Sequence, residues 1–393
     1  MHTLQSFISK PLWLVGFRPF FSLAIVSGAL LPILWVLLSS GDIALPNQII
    51  QLALPSVAWH AHEMFYGFGW ALLGGFLLTA SKNWVNTRGY HGYSLACIAL
   101  LWIGERLLLL CGGGLSALLT SLLSMVFIVV TVLMVVLTLL RYRQQDSYPD
   151  NIYFILALPL FIPVKWLMFN ADMFQTSVLM TLGLFRLCFL IMLERTLHPF
   201  MKGAFDITLK RVVWIDQSVK LLALLLVFAP WFPTAIVASL SFFLGSILLL
   251  RWFYWRPTLA FTRLELAVMY LGYLAITAQL FLIALLPADV TLIGTFSIHL
   301  FTLGAIGLIA PAMIIRISRG HTGRKVLFDC YDKSAIALMI VGFMCRLLGP
   351  QFAPGVYYHW LYATAICWFA CFLLIGMRYV PWLLRVRIDG KLH

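Results

Sequence analysis

Long apolar runs, separated by short polar connections, repeat along the whole chain. The runs are continuous and do not alternate apolar with polar positions, which is typical of membrane helices and not of membrane strands. A spanning helix needs about 20 mostly apolar residues. The pattern therefore predicts an all-α, polytopic transmembrane bundle of twelve spans, at about 20–40, 60–80, 92–111, 117–140, 151–169, 174–193, 212–229, 234–250, 264–286, 291–315, 334–348 and 360–377.

The connections between these runs are short and rich in turn-forming residues, such as "GGG" at 112–114, "PWFP" at 230–233 and "PAD" at 287–289. They leave no room for a separate soluble domain. We therefore predict one integral membrane domain over 1–393. It comprises a surface segment at 1–19, spans within 20–377 and a tail at 378–393.

Lysine and arginine divide cleanly between alternate connections. One set contains neither residue, namely 41–58, 112–116, 170–173, 230–233, 287–290 and 349–359. The other set and both terminal segments carry the positive charge. Because cytoplasmic loops retain lysine and arginine, we predict that both termini are cytoplasmic. A missed or additional span would have mixed the two sets.

Composition agrees with a membrane location. The chain is 62% hydrophobic and 10% charged, with a mean hydropathy of +0.97. The net charge of +13 follows from topology and contact with anionic lipid. No base-reading module is recognisable, so we expect no nucleic-acid partner. Covalent c-type haem is not indicated because no C-x-x-C-H occurs, and no hydrolase or nucleotide-binding motif is present.

Several ionisable side chains fall in the outer half of the predicted bundle, where each charge costs several kcal/mol unless it meets a partner, water or a ligand. "WHAHEM" at 59–64 opens span 2, and span 10 carries a histidine about 12 Å deep. The set comprises His60, His62, Glu63, Glu105, Arg106 and His299, with Lys165 and Arg346 as further neighbours.

Two kinds of centre fit this set. Histidines with carboxylates suit a transition metal, whereas two histidines from different spans could hold a haem iron, with arginine or lysine at its propionates. His60 and His62 point about 200° apart on a regular helix and could not share one small ion. A structural interpretation stays open, in which Glu63 only caps the start of span 2.

A second cluster is predicted on the cytoplasmic side. "RISRGHTGR" at 316–324 places His321 between glycines and among arginines, of which Arg324 is the last. "ERTLHPF" at 194–200 contains His198. Topology alone explains arginines in these loops, but it does not explain a Gly-His-Thr-Gly turn. Such a turn could hold a phosphate, a haem propionate or a metal.

Four motifs in a fixed order resemble the NnrS family: "GFRPFF" at 16–21, "WHAHEM" at 59–64, "GFLLTASKNW" at 75–84 and "HLFTLGAIG…RISRGHTGR" over 299–324. The resemblance runs from the N-terminus to about residue 330. It implies a multi-pass bacterial inner-membrane protein that contains haem and copper and is associated with nitric oxide tolerance and denitrification. With no covalent haem motif, the haem expected is haem b.

The resemblance also implies that His60, His62, His299 and His321 are the leading ligand candidates, supported by Glu63 and Arg324. The chain departs from the family pattern in span 9, where Met269 and Tyr270 stand near an expected histidine. It also has His198 beside the proline of "HPF". Such a protein could have lost a metal, recruited His198 or used Tyr270.

We therefore predict a haem- and copper-binding protein of nitrosative stress, with its centre held by histidines of spans 2 and 10. Whether it is an enzyme is left open. The rival hypothesis is a proton-coupled transporter of a small solute or metal chelate, which twelve spans with buried Glu105, Arg106 and Lys165 would also suit.

Overall fold

Twelve long helices make up most of the protein, for which the structure is a computed structural model that describes residues 10–42, 52–285, 292 and 295–391. Each is long and apolar enough to cross a membrane. They are α1 (Phe17–Ser40), α2 (Ser56–Trp84), α3 (Tyr93–Cys111), α4 (Ala117–Arg141), α5 (Pro149–Leu167), α6 (Ala171–Phe205), α7 (Val213–Trp231), α8 (Thr234–Tyr254), α9 (Leu264–Leu285), α10 (Phe296–His321), α11 (Cys330–Phe352) and α12 (Pro354–Leu383).

These helices confirm the predicted number of spans and the all-α class, and no strand occurs in the described ranges. The largest boundary difference is in α6, which continues to Phe205 although the predicted span ended at 193. Pro199 lies inside that helix. The predicted loop at 287–290, the predicted start of span 10 at 291, and residues 1–9, 43–51 and 392–393 lie outside the described residues. The sidedness of the termini stays a prediction.

The predicted surface segment is shorter than expected at its C-terminal end. A short 3-10 turn covers Pro11–Trp13, and α1 already begins at Phe17. Arg18 therefore lies in the first turn of α1 and is fully buried. Its Nη1 donates to the carbonyl oxygens of Leu383 at 2.9 Å and Arg385 at 2.6 Å, which satisfies acceptors at the end of α12.

The chain divides into two compact units. Unit 1 comprises Met1–Val178, Ile317–Val326 and Trp368–His393, and unit 2 comprises Leu179–Arg316 and Leu327–Cys367. Each is described separately below.

In unit 1, glycines allow α1 to pack closely on α2. A Cβ added at Gly75 would lie 2.6 Å from the Phe20 Cβ, and one added at Gly16 would lie 2.8 Å from the Leu78 Cβ. Small residues at helix contacts permit this approach in membranes. Two of the family motifs, "GFRPFF" and "GFLLTASKNW", therefore meet in one helix contact.

In unit 2, glycines perform the same role between α9, α10 and α11. A Cβ added at Gly304 would lie 2.8 Å from both the Ala275 Cβ and the Phe343 ring. A π-helical segment spans Thr302–Gly307 in this part of α10, and unit 1 has another at Glu63–Gly69 in α2. π-helical turns are rare overall, but those that occur are often at functional sites. The turn in α2 follows His62, and the turn in α10 follows His299.

Candidate functional site

Five ionisable side chains of unit 1 form one buried network, here called the Glu105 cluster: His62, Glu63, Glu105, Arg106 and Lys165. All five lie inside helices α2, α3 and α5. The side chains of His62, Glu63, Glu105 and Lys165 are at most 1% exposed, and that of Arg106 is 10% exposed. Two carboxylates therefore balance two cations in an apolar interior.

Glu105 is the centre of this network. Its Oε1 accepts hydrogen bonds from Lys165 Nζ and from Ser124 Oγ, the latter at 2.7 Å. Its Oε2 lies 3.1 Å from Arg106 Nη2. Lys165 also donates to the Ser124 carbonyl oxygen at 2.7 Å. Arg106 completes the network through its Nε, which is 2.8 Å from Glu63 Oε2.

His62 lies between the two carboxylates. Its Nδ1 is 3.2 Å from Glu63 Oε1, and its Nε2 is 3.4 Å from Glu105 Oε1. The buried Nε2 makes no hydrogen bond among the residues that the structure describes. A histidine that ligates a metal commonly donates its other ring N–H to a carboxylate or carbonyl. His62 shares the first part of this arrangement, since Nδ1 lies beside Glu63, while its Nε2 faces Glu105 without a hydrogen bond among described residues.

The π-helical turn of α2 explains how the cluster is accommodated. This irregular segment has carbonyl groups that side chains of α3 satisfy: Trp102 Nε1 donates to the Gly67 oxygen at 3.1 Å, and Arg106 Nη1 donates to the Tyr66 oxygen at 3.2 Å. A Cβ at position 67 would lie 3.0 Å from Glu63 Oε2. Gly67 therefore leaves room for the ion pair between Glu63 and Arg106.

His60 occupies a different environment from His62. Its half-buried ring stacks on Trp35, with ring centroids 4.1 Å apart and planes 22° apart. α2 begins at Ser56, so both histidines lie within the helix. Glu63 lies seven residues after that start, so it does not cap the helix.

His299 belongs to unit 2 and is half-buried near the start of α10. Its Nδ1 is 2.7 Å from the Thr295 hydroxyl oxygen and 3.0 Å from the Thr295 carbonyl oxygen. A proton on Nδ1 is donated to that carbonyl oxygen, which assigns any coordination to Nε2. Arg346 Nη2 donates to the same hydroxyl at 3.0 Å.

His321 and Arg324 belong to unit 1. His321 is the last residue of α10, and its exposed side chain lies against Phe17 at a ring-centroid distance of 5.0 Å. Arg324 stacks on Trp382, with its Cζ 3.9 Å from the ring centroid. Partial burial, then the positive charges of nearby Arg319 and Arg385, lower the pKa of Arg324.

His198 lies within α6 and not in a loop, because that helix continues past Pro199. Its Nδ1 donates to the Glu194 carbonyl oxygen at 2.7 Å, and its buried Nε2 has no hydrogen-bond partner among described residues. Trp255 packs edge-on against its ring at 5.8 Å. The Tyr270 hydroxyl donates to the Trp255 carbonyl oxygen at 2.6 Å, so the two departures from the family pattern adjoin the same tryptophan.

A second buried ionic network lies in unit 2 and was not predicted from the sequence. Glu194 Oε1 lies 2.9 Å from Lys220 Nζ, and its Oε2 lies 3.2 Å from Arg251 Nη1. Arg251 also contacts Asp216 at 3.6 Å and donates to the Tyr273 hydroxyl at 3.0 Å. The available signal was the set of four ionisable residues near the same ends of spans 6, 7 and 8.

Among described residues, no group of three or more His, Cys, Asp or Glu side chains has the arrangement of a metal-binding cluster. A haem iron would need fewer side-chain ligands than such a cluster. His62, whose Nδ1 lies beside Glu63, is a side chain that could hold such a group.

The family described as "NnrS protein" matches residues 11–387, which is nearly the whole chain. No curated protein matches the chain.

Proposed function

The chain belongs to the NnrS family, and on that premise we propose that it is a haem- and copper-binding protein of the bacterial inner membrane that acts in nitric oxide tolerance. Family membership and the twelve apolar helices make it a multi-pass membrane protein of the nitric oxide response. The haem, the copper, the inner membrane and the role in denitrification are the proposed parts.

One observation carries this proposal. Within the described ranges, the buried Nε2 of His62 makes no hydrogen bond, while Nδ1 lies 3.2 Å from Glu63 Oε1. An unsatisfied buried nitrogen costs about 1–3 kcal/mol, which coordination to iron would recover. A bound haem iron would supply a site at which nitric oxide coordinates.

The side chains around His62 would orient and tune that ligand. Glu63 accepts a hydrogen bond from Nδ1–H, which makes Nε2 of the imidazole a more basic metal ligand. Arg106 and Lys165 hold the two carboxylates in place and balance their charge. His299, whose Nδ1 is held by Thr295, is the proposed ligand from α10.

The remaining candidates have lesser proposed roles. Copper would be taken by histidines outside the haem, for which His60, His321 and His198 are the candidates. Arg324 would support His321. The family resemblance makes His60, His321 and Arg324 candidates, and the division between haem and copper is part of this proposal.

A visible spectrum with iron and copper analysis of the purified protein tests the proposal. We expect a Soret band that His62→Gln removes and that His91→Gln leaves unchanged, since His91 is an exposed loop residue. Far-UV circular dichroism of both variants checks that the helices are retained. A colourless protein without iron or copper would refute the proposal.

A proton-coupled transporter is the second candidate function. The Glu105 cluster favours it, because two carboxylates and two cations lie together inside membrane spans. In that case the metal-free protein would take up a solute into vesicles with a pH gradient, and Glu105→Gln would abolish uptake.

A further inference from the structure

Two buried arginines of unit 2 have no carboxylate partner among the residues that the structure describes. Arg186 in α6 is 5% exposed, and Arg346 in α11 is 7% exposed. The buried cations Lys220 and Arg251 of the same unit both contact Glu194. An uncompensated cation inside a membrane costs several kcal/mol, so the two arginines need a different source of negative charge.

The contacts of Arg186 with described residues are to neutral groups. Its Nη2 donates to Gln279 Oε1 at 2.9 Å, and its guanidinium carbon lies 5.8 Å from the ring centroid of Phe301. Its buried Nε has no hydrogen-bond partner in the described part of the chain. It lies about 18 Å along α6 from Phe174 and so cannot reach the membrane surface by extending its side chain.

Arg346 likewise contacts neutral groups in the part of the chain that the structure describes. Its Nη2 donates to the Thr295 hydroxyl and to the Tyr357 hydroxyl, each at 3.0 Å. The Thr295 hydroxyl oxygen is in turn 2.7 Å from His299 Nδ1. Arg346 is therefore one side chain removed from the proposed α10 ligand.

Both arginines are linked to the first turns of α10. Gln279, which accepts from Arg186, donates through Nε2 to the Ser297 carbonyl oxygen at 3.0 Å. α10 begins at Phe296, and the start of a helix carries a partial positive charge. Arg346 through Thr295 and Arg186 through Gln279 are thus both connected to the first turn of α10, and no described carboxylate pairs with either guanidinium.

We propose that Arg186 and Arg346 hold the oxygens of a carboxylate-like anion beside His299. Two ligands have this chemistry. The first is a haem with its propionates, and this possibility rests on the proposed function. The second is a free planar oxyanion such as nitrite, which is independent of the proposed function. A guanidinium presents paired N–H groups that match two coplanar oxygens.

Haem and its dimethyl ester, in which both propionates are neutral, separate these possibilities. The full chain, expressed under haem limitation and purified in detergent, is titrated with each. We expect the wild type to bind haem roughly tenfold or more tightly than the ester. Arg186→Gln and Arg346→Gln each reduce that ratio, whereas the exposed Arg256→Gln does not. Arg186→Lys keeps the positive charge, so this variant should retain part of the preference for haem over the ester.

A nitrite titration of the haem-free chain, followed by tryptophan fluorescence, forms the second arm. Equal binding of haem and ester by the wild type, with nitrite binding that both variants lose, assigns the site to a free anion. A wild type that binds neither haem nor ester contradicts the proposed function, and the nitrite arm still tests the anion site.

The proposal is overturned if the arginine variants change neither the haem-to-ester ratio nor nitrite binding. Circular dichroism of each variant shows whether a lost signal reflects a lost fold.

Discussion

Neutralising Glu105 should destabilise the protein more than any other single change in its cluster. The Glu105→Gln substitution leaves Lys165, which is fully buried, without its carboxylate, and leaves Arg106 with Glu63 alone. Removing one partner of a buried ion pair costs about 3–5 kcal/mol, because the remaining charge stays buried. We expect a loss of this size in the free energy of unfolding.

A double variant separates a lost ion pair from general damage. Replacing a buried pair by apolar groups is often neutral, so adding Lys165→Met to Glu105→Gln should recover at least about 2 kcal/mol of the loss. The assay is unfolding by dodecyl sulfate in mixed micelles, monitored by tryptophan fluorescence. Lys202→Gln, at a pair whose lysine side chain is 58% exposed, is the control and should change little.

The outcome that would refute this reasoning is simple additivity. If the losses from Glu105→Gln and Lys165→Met sum in the double variant, the two side chains do not interact.

Two further predictions concern packing and the C-terminal tail. Gly75→Ala should cost about 1–3 kcal/mol in the same unfolding assay, because the added Cβ would lie 2.6 Å from the Phe20 Cβ. Gly104→Ala is the control and should not destabilise the protein, because a Cβ there would have nothing within 4 Å. Equal effects of the two substitutions would contradict the close packing at Gly75. Hydrogen bonds from Arg387 hold the pKa of Asp389 well below its usual range. The stabilisation from this pair is therefore fully present above the usual aspartate pKa, and it is lost as the pH falls through the lowered pKa. Arg387→Gln should move that pKa upward in carboxyl-carbon NMR, and an unchanged pKa would show that another group is responsible.

Hydropathy was sufficient to predict the twelve helices, because each must supply about 20 apolar residues to cross the bilayer. The same pattern identified Glu105, Arg106 and Lys165 as ionisable residues within spans, and the structure brings these three together. Their rarity in apolar runs is what made them visible.

The choice between neighbouring histidines was less accessible from sequence. A regular helix places His60 on the face of Glu63, but the structure pairs Glu63 with His62. The backbone leaves regular α geometry at Glu63, and no residue type signals a π-helical turn. The relation between His62 and His299 stays a prediction.

The network around Glu194 was missed for a different reason. A boundary error of a few residues at the end of a span moves a charge from a loop into a helix. Arg251 was assigned to a loop, whereas α8 continues to Tyr254 and Arg251 is 2% exposed. Tertiary contacts determine whether a residue at the end of a span is buried, and a hydropathy pattern carries no information on those contacts.

The π-helical turn in α2 is a feature that the loss of a single residue can remove. A π turn holds about one residue more than an α turn, so deleting one residue between Glu63 and Gly69 would let a regular α-helix form while the flanking segments stay close to their present orientation. What would be lost is the widened turn, whose Tyr66 and Gly67 carbonyl oxygens accept hydrogen bonds from Arg106 and Trp102. Such a shortened chain should therefore keep its helix and lose the hydrogen bonds that tie α3 to it.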